Sequence, residues 1–488
     1  MKRIYLFIIA SLISCSKDET TTPEEIKEVQ TLVQSIAIEG SNISSGTTGQ
    51  MTAVVLPADA SNKAITWTSS DITIATISAS GLVTAHKNGT VIIRATAADK
   101  STVSATKTIT ISNIVVVPTY EYTVANATEF LSALTKVKAG ETIFVKAGIY
   151  VMNAKITLSS SGTLGNEIKI LGQTEGGRAK LDFSSMPENS ANQGIILTGN
   201  FWHIKGIDVF KAGDNGLQLK GSNNLIEFCT FSECSDTGLQ IDNGAANNTI
   251  LNCDSYFNAD STLENADGFA CKLTAGTGNK FIGCRAWQNL DDGWDGYLRG
   301  TDNITTTHIN CWAIKNGYLK NGTKGAGDGN GFKTGGSDDK LLKHNAVYKN
   351  CIAAGNVADG FDHNSNRGNV EIYNCSTYSN GVNYNFSNTN PLAKLTIKNS
   401  CAIGAYGNTN ATAVIATNNG WQNGIITDAN DFQSIDMSQL IQARKADGSL
   451  PDVSFMHLKS DSDLIDKGTD VGLPFKGVAP DIGAFELQ

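Results

Sequence analysis

Asp292-Gly293-Trp294-Asp295 is one copy of a short pattern that recurs between residues 215 and 362 of this 488-residue chain. The other copies are Asn215-Gly216-Leu217-Gln218, Thr237-Gly238-Leu239-Gln240, Asp267-Gly268-Phe269-Ala270, Asn330-Gly331-Phe332-Lys333 and Asp359-Gly360-Phe361-Asp362. The residue after each glycine is large and apolar. Side chains alternate between the two faces of a strand, so this residue fills an interior and the next one points outward.

Short apolar strands separated by Asn, Gly and Asp turns recur from about Ile168 to Ile403, roughly every two to four dozen residues. A repeat this short predicts a solenoid, and the all-β pattern favours a parallel β-helix. Equivalent positions of consecutive rungs then lie about 4.8 Å apart, which is the spacing of paired strands. Residues that are remote in sequence become neighbours.

The composition excludes several classes of protein. Hydrophobic residues at 40% exclude a fully disordered chain, and 48 Gly with only 8 Pro and no triplet period exclude collagen. Charged residues make up only 17%, a balance typical of β-rich extracellular proteins. The net charge of −9 argues against a nucleic-acid partner, and a polyanion would need local positive charge to bind.

The N-terminus has the layout of an export signal over residues 1–14. Lys2 and Arg3 precede an apolar run that is too short to span a bilayer. Leu12-Ile13-Ser14-Cys15 resembles a bacterial lipobox, which implies lipidation of Cys15 and a lipoprotein of the outer membrane or cell surface. The alternative is a plain secretory signal in which Cys15 has no role.

A polar linker over 15–32 leads into residues 33–113, where short runs alternate apolar and polar residues as in a small β-sandwich. The region contains no cluster of titratable groups, so we interpret it as a spacer or weak adhesion module. A second linker, 114–121, precedes the solenoid domain, 122–488. Three stretches of the sandwich resemble the bacterial Ig-like domain of group 2: Ile65-Thr66-Trp67-Thr68-Ser69-Ser70, Ile74-Ala75-Thr76-Ile77 and Gly81-Leu82-Val83-Thr84-Ala85.

The solenoid domain opens with a helical pattern, because Phe130, Leu134 and Val137 have helical spacing before a strand begins near Gly140. This predicts a helical cap. Nine cysteines follow Cys15, an odd number that cannot all pair within the chain. Most recur at repeat-sized intervals, which predicts small apolar residues stacked in successive rungs. These are Cys229, Cys253, Cys284, Cys311, Cys351, Cys375 and Cys401.

Stacking the rungs brings carboxylates together. Asp267 and Asp292 share the position before glycine, and Asp291 and Asp295 flank Asp292 in the same rung. Each Asp taken singly is also explained as a turn residue, but turns do not explain the group. Four carboxylates would repel without a cation, and Ca²⁺ takes roughly 6 to 8 oxygen ligands. The sequence shows no His or Cys cluster for a softer metal.

Lys333 shares the outward position of Asp295 in the next rung. A lone lysine is usually a solvated surface charge. Beside a bound cation, however, the opposing positive charge lowers the pKa of an ammonium towards use as a base. Base, metal and a long groove suggest an acidic polymer as substrate.

Three motifs surround this cluster: Asn265-Ala266-Asp267-Gly268-Phe269-Ala270-x-Lys272-Leu273, Gly283-Cys284-Arg285-Ala286-Trp287-x-Asn289-x-Asp291-Asp292-Gly293-Trp294-Asp295 and Gly329-Asn330-Gly331-Phe332-Lys333-x-Gly335-Gly336. Together they resemble polysaccharide lyase family 9. The resemblance implies a right-handed parallel β-helix in which Asp267, Asp291, Asp292 and Asp295 bind Ca²⁺ and Lys333 is the Brønsted base.

The resemblance also implies β-elimination in a uronic-acid chain. Ca²⁺ binds the uronate carboxylate and stabilises the developing enolate, and neutral Lys333 removes the C5 proton. The expected substrate is an acidic plant-type polysaccharide containing galacturonate, either homogalacturonan or rhamnogalacturonan, and the expected state is a monomer.

Two other functions are compatible with the sequence. A β-helical glycoside hydrolase would use paired carboxylates as acid and base and would need no essential lysine. A surface adhesin or glycan-binding solenoid would use the Asp group as a structural metal site. Other basic residues near the motifs are not assigned to the site, because long cationic side chains are ordinarily solvated. They are Lys272, Arg285, Arg299, His344, His363 and Arg367.

Overall fold

The computed structural model describes residues 30–112 and 119–487. The chain divides into two compact units, Met1–Thr119 and Tyr120–Gln488. The predicted export segment, Cys15 and most of both predicted linkers lie outside the described residues. Among the helices of the described ranges, none is both long enough and apolar enough to cross a membrane.

The first unit is an antiparallel β-sandwich, as predicted for an Ig-like domain. Val83, Ile93 and Ile109 are buried in its core, and the long strand Gly89–Ala97 alternates buried and exposed residues as a strand with one covered face does. Its strands are Ser35–Glu39, Thr48–Gln50, Thr52–Leu56, Ile65–Ser69, Ala75–Ile77, Leu82–Ala85, Gly89–Ala97 and Ser104–Ile111.

The second unit begins with a strand and the predicted helix. The helix spans Ala127–Leu134, and the side chain of Asn126 caps it by accepting a hydrogen bond from the backbone N–H of Glu129 at 3.0 Å. Phe130 and Ala133 are buried against the first rungs. The helix therefore covers apolar surface that an open solenoid end would expose.

The rest of this unit is a right-handed parallel β-helix with three sheets, and each turn adds one strand to each sheet. The first sheet contains Tyr122–Val124, Thr142–Val145, Ile168–Gly172, Trp202–Lys205, Leu225–Glu227, Thr249–Leu251, Asn279–Ile282, Ile304–Ile309, His344–Lys349, Asn369–Tyr373, Lys394–Lys398 and Ala413–Thr417. All of its strand pairs are parallel.

The second sheet contains Gly148–Val151, Ala179–Asp182, Ile207–Phe210, Thr230–Ser232, Asp254–Tyr256, Arg285–Trp287, Trp312–Ile314, Ile352–Ala354, Ser376–Tyr378 and Cys401–Ile403. The third sheet contains Ile156–Leu158, Ile195–Leu197, Leu217–Leu219, Leu239–Ile241, Phe269–Cys271, Trp294–Asp295, Phe332–Lys333, Asp359–Asp362, Val382–Phe386 and Gly407–Thr409. The C-terminal segment includes two 3₁₀ helices, Ala429–Asp431 and Met437–Ile441, and packs on the second sheet.

The repeat pattern builds the third sheet as predicted. Phe269, Trp294, Phe332 and Phe361 are direct register partners from rung to rung. Their rings stack inside the β-helix with centroids 5.1, 4.8 and 4.8 Å apart. This buried aromatic stack fixes the register, because a slip of one residue would turn every ring towards solvent.

Buried thiols and buried side-chain amides line two different corners of the β-helix. All nine cysteines of the described residues are free and buried, which confirms their predicted packing role. At the corner between the second and third sheets, buried side-chain amides bond from rung to rung at 2.8 to 3.0 Å. This amide ladder leaves few polar groups unpaired in the corner that leads into the site. It comprises Asn258, Asn289, Asn316, Asn356 and Asn380.

Candidate active site

The outward face of the third sheet carries the fourth residue of each repeat in one row. Asp295 and Lys333 are direct register partners in neighbouring parallel strands, as the repeat alignment predicts. The strand spacing holds their side chains next to each other on the outer face. The full row is Gln218, Gln240, Ala270, Asp295, Lys333 and Asp362.

The position before glycine brings Asp267 and Asp292 together. The backbone N–H of Gly268 donates to the carbonyl of Asp292 at 2.9 Å, and the N–H of Asp292 lies 3.3 Å from Oδ1 of Asp267. The N–H of Asn330 donates to Oδ1 of Asp292 at 2.8 Å, and the N–H of Asp328 donates to Oδ1 of Asp291. Backbone donors therefore orient these carboxylates.

The carboxylates of Asp267, Asp291 and Asp292 form one buried group in which one oxygen from each lies within 4.8 Å of the others. Ligands at about 2.3–2.6 Å around one Ca²⁺ lie at most about 5 Å apart, so this spacing fits a shared cation. Oδ2 of Asp292 is buried and accepts no hydrogen bond. A buried carboxylate oxygen that accepts no hydrogen bond can face a cation, and here it lies 3.1 Å from the ammonium of Lys333.

Asp295 is the predicted ligand that does not belong to this close group. Its Oδ1 accepts a hydrogen bond from the N–H of Tyr297 at 2.9 Å, and its Oδ2 lies 3.4 Å from Nζ of Lys272. The residue is buried at the edge of the group. Metal binding stays a prediction for all four carboxylates.

The electrostatics of the group call for positive charge. Burial, followed by the neighbouring Asp291 carboxylate, raises the pKa of Asp292 well above its ordinary value. Burial and Asp267 raise the pKa of Asp291 to about 7. Burial also raises the pKa of Asp267, although Lys272 opposes that shift. Such carboxylates resist ionisation unless a cation compensates them.

Lys333 lies within this field. Its Nζ is 2.9 Å from Oδ2 of Asp328 and 3.1 Å from Oδ2 of Asp292, the latter at ion-pair distance but without hydrogen-bond geometry. Burial alone would lower the pKa of Lys333, but the carboxylates, Asp292 first, raise it well above the ordinary lysine value. Without a metal, Lys333 is therefore a protonated counter-ion.

An open cleft of about 450 Å³ lies over these residues. Lys333, Lys272 and Arg299 line it together with Tyr297 and Gln240. The cleft also reaches three of the four predicted ligands, Asp267, Asp291 and Asp295. It joins the acidic group to a surface that a polymer can reach.

Sequence reasoning missed two ion-pair partners of the site residues. Lys272 was expected to be solvated, but its side chain is only 17% exposed and its Nζ lies 2.7 Å from Oδ2 of Asp267. Asp328 is an ion-pair partner of Lys333. Lys272 could have been found from its position two residues after Ala270, which belongs to the outward-facing row. Asp328 could have been found from the glycine-rich segment around it.

Of the other unassigned basic residues, Arg299 lines the cleft, whereas Arg285 and His344 lie elsewhere. The expectation of a solvated side chain is also wrong for Arg285, which is 3% exposed and pairs with Asp254 on the second sheet. His344 is buried and hydrogen-bonds the carbonyl of Gly296 at 2.7 Å, next to Asp295. Neither side chain reaches the cleft.

Comparison with known families agrees with both domains. Residues 118–437 match the family described as Pel9A-like, right handed beta helix region. Residues 33–109 match the bacterial Ig-like domain of group 2. The sequence is 38% identical over 372 residues to pectate lyase L of Dickeya dadantii strain 3937, an alignment that covers 73% of this chain and 85% of that protein.

Two solved structures share the β-helix. The crystal structure of pectate lyase Pel9A aligns with a TM-score of 0.67 and 36% identity, covering 74% of this chain and 91% of that one. A rhamnogalacturonan lyase aligns with a TM-score of 0.63 and 25% identity, covering 70% and 97%. With the family match over most of the second unit, these likenesses make the chain a polysaccharide lyase that belongs to the Pel9A-like right-handed β-helix family.

Proposed function

We propose that the chain is a calcium-dependent lyase that cleaves galacturonate-containing pectic polysaccharide by β-elimination, with Lys333 as the base. The observation that carries this proposal is the ammonium of Lys333, 3.1 Å from Asp292 in a buried carboxylate group at the base of an open cleft. The relatives named pectate lyase and rhamnogalacturonan lyase support the pectic substrate class.

Asp267, Asp291 and Asp292 would hold the metal, with Asp295 beside them. Their oxygen-only chemistry, their close spacing and the buried Asp292 oxygen that accepts no hydrogen bond fit Ca²⁺. Bound Ca²⁺ would supply the positive charge that holds a uronate carboxylate and stabilises the charge that develops when its C5 proton leaves. The backbone donors of Asn330 and Asp328 keep the carboxylates oriented for this task.

Lys333 would remove the C5 proton. The C5–H and C4–O bonds break, a C4–C5 double bond forms, and the leaving oxygen takes a proton from solvent. Only the neutral amine accepts the proton, so the charge of the surrounding carboxylates must first be compensated. The parallel pairing of its strand with the strand of Asp295 holds Lys333 at the cleft.

A bound divalent cation would reconcile an acidic chain with a polyanionic substrate. The net charge is −9, and three cationic side chains of the cleft, Lys272, Arg299 and Lys333, face four aspartates, Asp236, Asp267, Asp291 and Asp295. The cation would offset these carboxylates, which the three cationic side chains alone do not outnumber. Attraction within a cleft is governed by the nearest charges, because salt screens those farther away than about 8–10 Å.

The two alternative functions meet specific difficulties. A hydrolase needs one carboxylic acid and one carboxylate on opposite sides of the bond, at separations of about 5–9.5 Å, and gives no role to a buried lysine. Lys333 is such a lysine, because it is buried and its Nζ lies 3.1 Å from Oδ2 of Asp292. A binding protein without catalysis is not favoured by relatives that are named lyases.

The test is the ultraviolet absorbance of unsaturated products. The full chain is incubated with polygalacturonate and separately with rhamnogalacturonan, each with Ca²⁺, with a chelator, and after Ca²⁺ is restored. We expect absorbance on at least one polymer, lost with chelator and recovered with Ca²⁺. Reducing ends released without absorbance would instead indicate a hydrolase.

We also propose export of the chain as a lipoprotein that is anchored to the outer membrane through Cys15 and acts as a monomer. The lipobox-like Leu12-Ile13-Ser14-Cys15 supports the anchor. Labelling cells with a fatty-acid analogue tests it, since Cys15→Ser should abolish incorporation. Light scattering of the soluble domain tests the monomer.

A further inference from the structure

The candidate site contains a second buried ammonium that the proposed base mechanism does not use. Lys272 directly follows the third-sheet strand Phe269–Cys271, and its backbone N–H donates to the carbonyl of Ile241 at 3.1 Å. Its Nζ lies 2.7 Å from Oδ2 of Asp267 and 3.4 Å from Oδ2 of Asp295. The side chain is 17% exposed, and it lines the cleft.

The two lysines pair with different carboxylates. Lys272 pairs with Asp267 and Asp295, whereas Lys333 pairs with Asp292 and Asp328. Both line the same cleft, but proton removal needs one amine only. Lys272 therefore has another task, or it serves only as a structural counter-ion.

A cation in the carboxylate group would change the charge around Lys272. Asp267 is both its closest partner and a member of the close carboxylate group. A carboxylate that is shared with a divalent cation compensates an ammonium less well. Lys272 would then present positive charge to the cleft, and an anion would restore the balance.

We propose that Lys272 binds a carboxylate of the polymer in the cleft and holds it beside the cation site. The inference rests on the proposed function, which supplies a uronate substrate. A lysine suits this contact, because its flexible side chain carries a compact positive charge with three hydrogen-bond donors that can rotate towards a carboxylate. Lys272 is a substrate-binding residue in this proposal, and it takes no part in proton transfer.

The proposal predicts opposite changes in two affinities. In Lys272→Met, the loss of a positive charge next to the cation site should leave Ca²⁺ binding as strong as before or stronger. Affinity for trigalacturonate should fall by about ten- to a hundredfold, the range for a lost hydrogen bond to a charged group. A residue that merely supports the site would weaken both.

The experiment measures both affinities by calorimetry. Ca²⁺ is titrated into the full-length wild type, Lys272→Met and Lys272→Arg. Trigalacturonate is then titrated, with Ca²⁺ present, into each of these in a Lys333→Met background, so that no turnover occurs. Lys205→Met is the matched control, because Lys205 pairs with Glu227 at 2.7 Å on the first sheet, away from the cleft.

We expect Lys272→Arg to bind trigalacturonate within severalfold of wild type, because it keeps the charge. Unchanged trigalacturonate affinity in Lys272→Met, or weaker Ca²⁺ binding, would overturn the proposal. If Lys272→Met does not fold, Lys272→Gln replaces it under the same criteria. A wild type that forms no unsaturated product from any pectic polymer would contradict the proposed function instead.

Discussion

Asp295 and Lys333 are direct partners in neighbouring parallel strands of the third sheet, and both side chains face the cleft. Asp295, which lies beside the close carboxylate group, is thereby the strand neighbour of the proposed base, Lys333. Lys333 also contacts Asp292 at 3.1 Å, so the charge state of the group and the protonation of the base are linked.

Asp292→Ala should weaken Ca²⁺ binding and remove most activity. The change deletes the buried oxygen that has no hydrogen-bond donor and leaves the aromatic interior unchanged. Calorimetry should show a loss of at least about tenfold, the lower range for residues that merely orient metal ligands. Asp242→Ala, outside the close group, is the control. Unchanged Ca²⁺ affinity in Asp292→Ala would mean that the site is misassigned.

Ca²⁺ should stabilise the protein more at neutral than at acid pH. The folded, metal-free protein raises the pKa of Asp291 to about 7, so the unfolded chain gives up this proton first as pH rises. The metal-free fold therefore loses stability between about pH 4 and 7. Binding of Ca²⁺ to the ionised carboxylate removes this loss of stability. Differential scanning calorimetry should show a larger Tm gain with Ca²⁺ at about pH 8 than at about pH 5. An equal gain at both would contradict the raised pKa.

Lys333→Ala should abolish turnover and retain Ca²⁺ binding. Burial lowers the pKa of Lys333, but the carboxylates outweigh it and hold the lysine protonated without metal. Even an ordinary lysine, with a pKa of about 10.4, is almost fully protonated at neutrality, so activity should rise with pH. Initial rates across a pH series with saturating Ca²⁺ measure this. An acidic pH optimum of activity, together with a fully active Lys333→Ala variant, would contradict the lysine-base mechanism.

A chain that begins at Thr119 should keep full activity on soluble polymer. The contacts that build the site all come from the second unit, Tyr120–Gln488. Circular dichroism and the ultraviolet product assay compare this fragment with the full chain. A folded fragment without activity would show that the Ig-like unit contributes to the site.

Asp254→Ala should destabilise the β-helix by about 3–5 kcal/mol, the cost of leaving buried charges without a partner. Asp254 is 2.7 Å from both Arg285 and Arg444, whose side chains are 3% and 4% exposed. Denaturant unfolding at neutral pH measures the loss. Thr230→Ala, the register partner of Asp254 on the same sheet, is a control of similar placement.

The same triad gives a pH dependence. Burial raises the pKa of Asp254, but Arg444 and Arg285 outweigh it and hold the pKa below the ordinary value. Its contribution is therefore complete above the unfolded pKa of about 3.9 and is lost as pH falls through the lower folded pKa. The stability gap between wild type and Asp254→Ala should close in acid. A gap that persists there would argue against the ionised carboxylate.

The sequence alone determined the repeat, the register and the row that carries Asp295 and Lys333. A turn glycine followed by an aromatic residue fixes which side chain is buried, and alternation along the strand then fixes which one faces outward. The neighbours Asp267 and Asp292 follow from the same alignment, because stacked rungs repeat at a constant spacing.

Only the tertiary structure decided which charges meet. Lys272 and Asp328 lie outside the strands, where side-chain direction does not follow strand alternation. Lys272 pairs with Asp267 of its own rung and Asp295 of the next, and Asp328 pairs with Lys333 of its own rung. Asp295 shows the same limit, because its carboxylate faces Lys272 and Tyr297 rather than the close group. Local sequence sets the repeating backbone, whereas the partner of a charged side chain depends on burial and on every charge within a few ångströms.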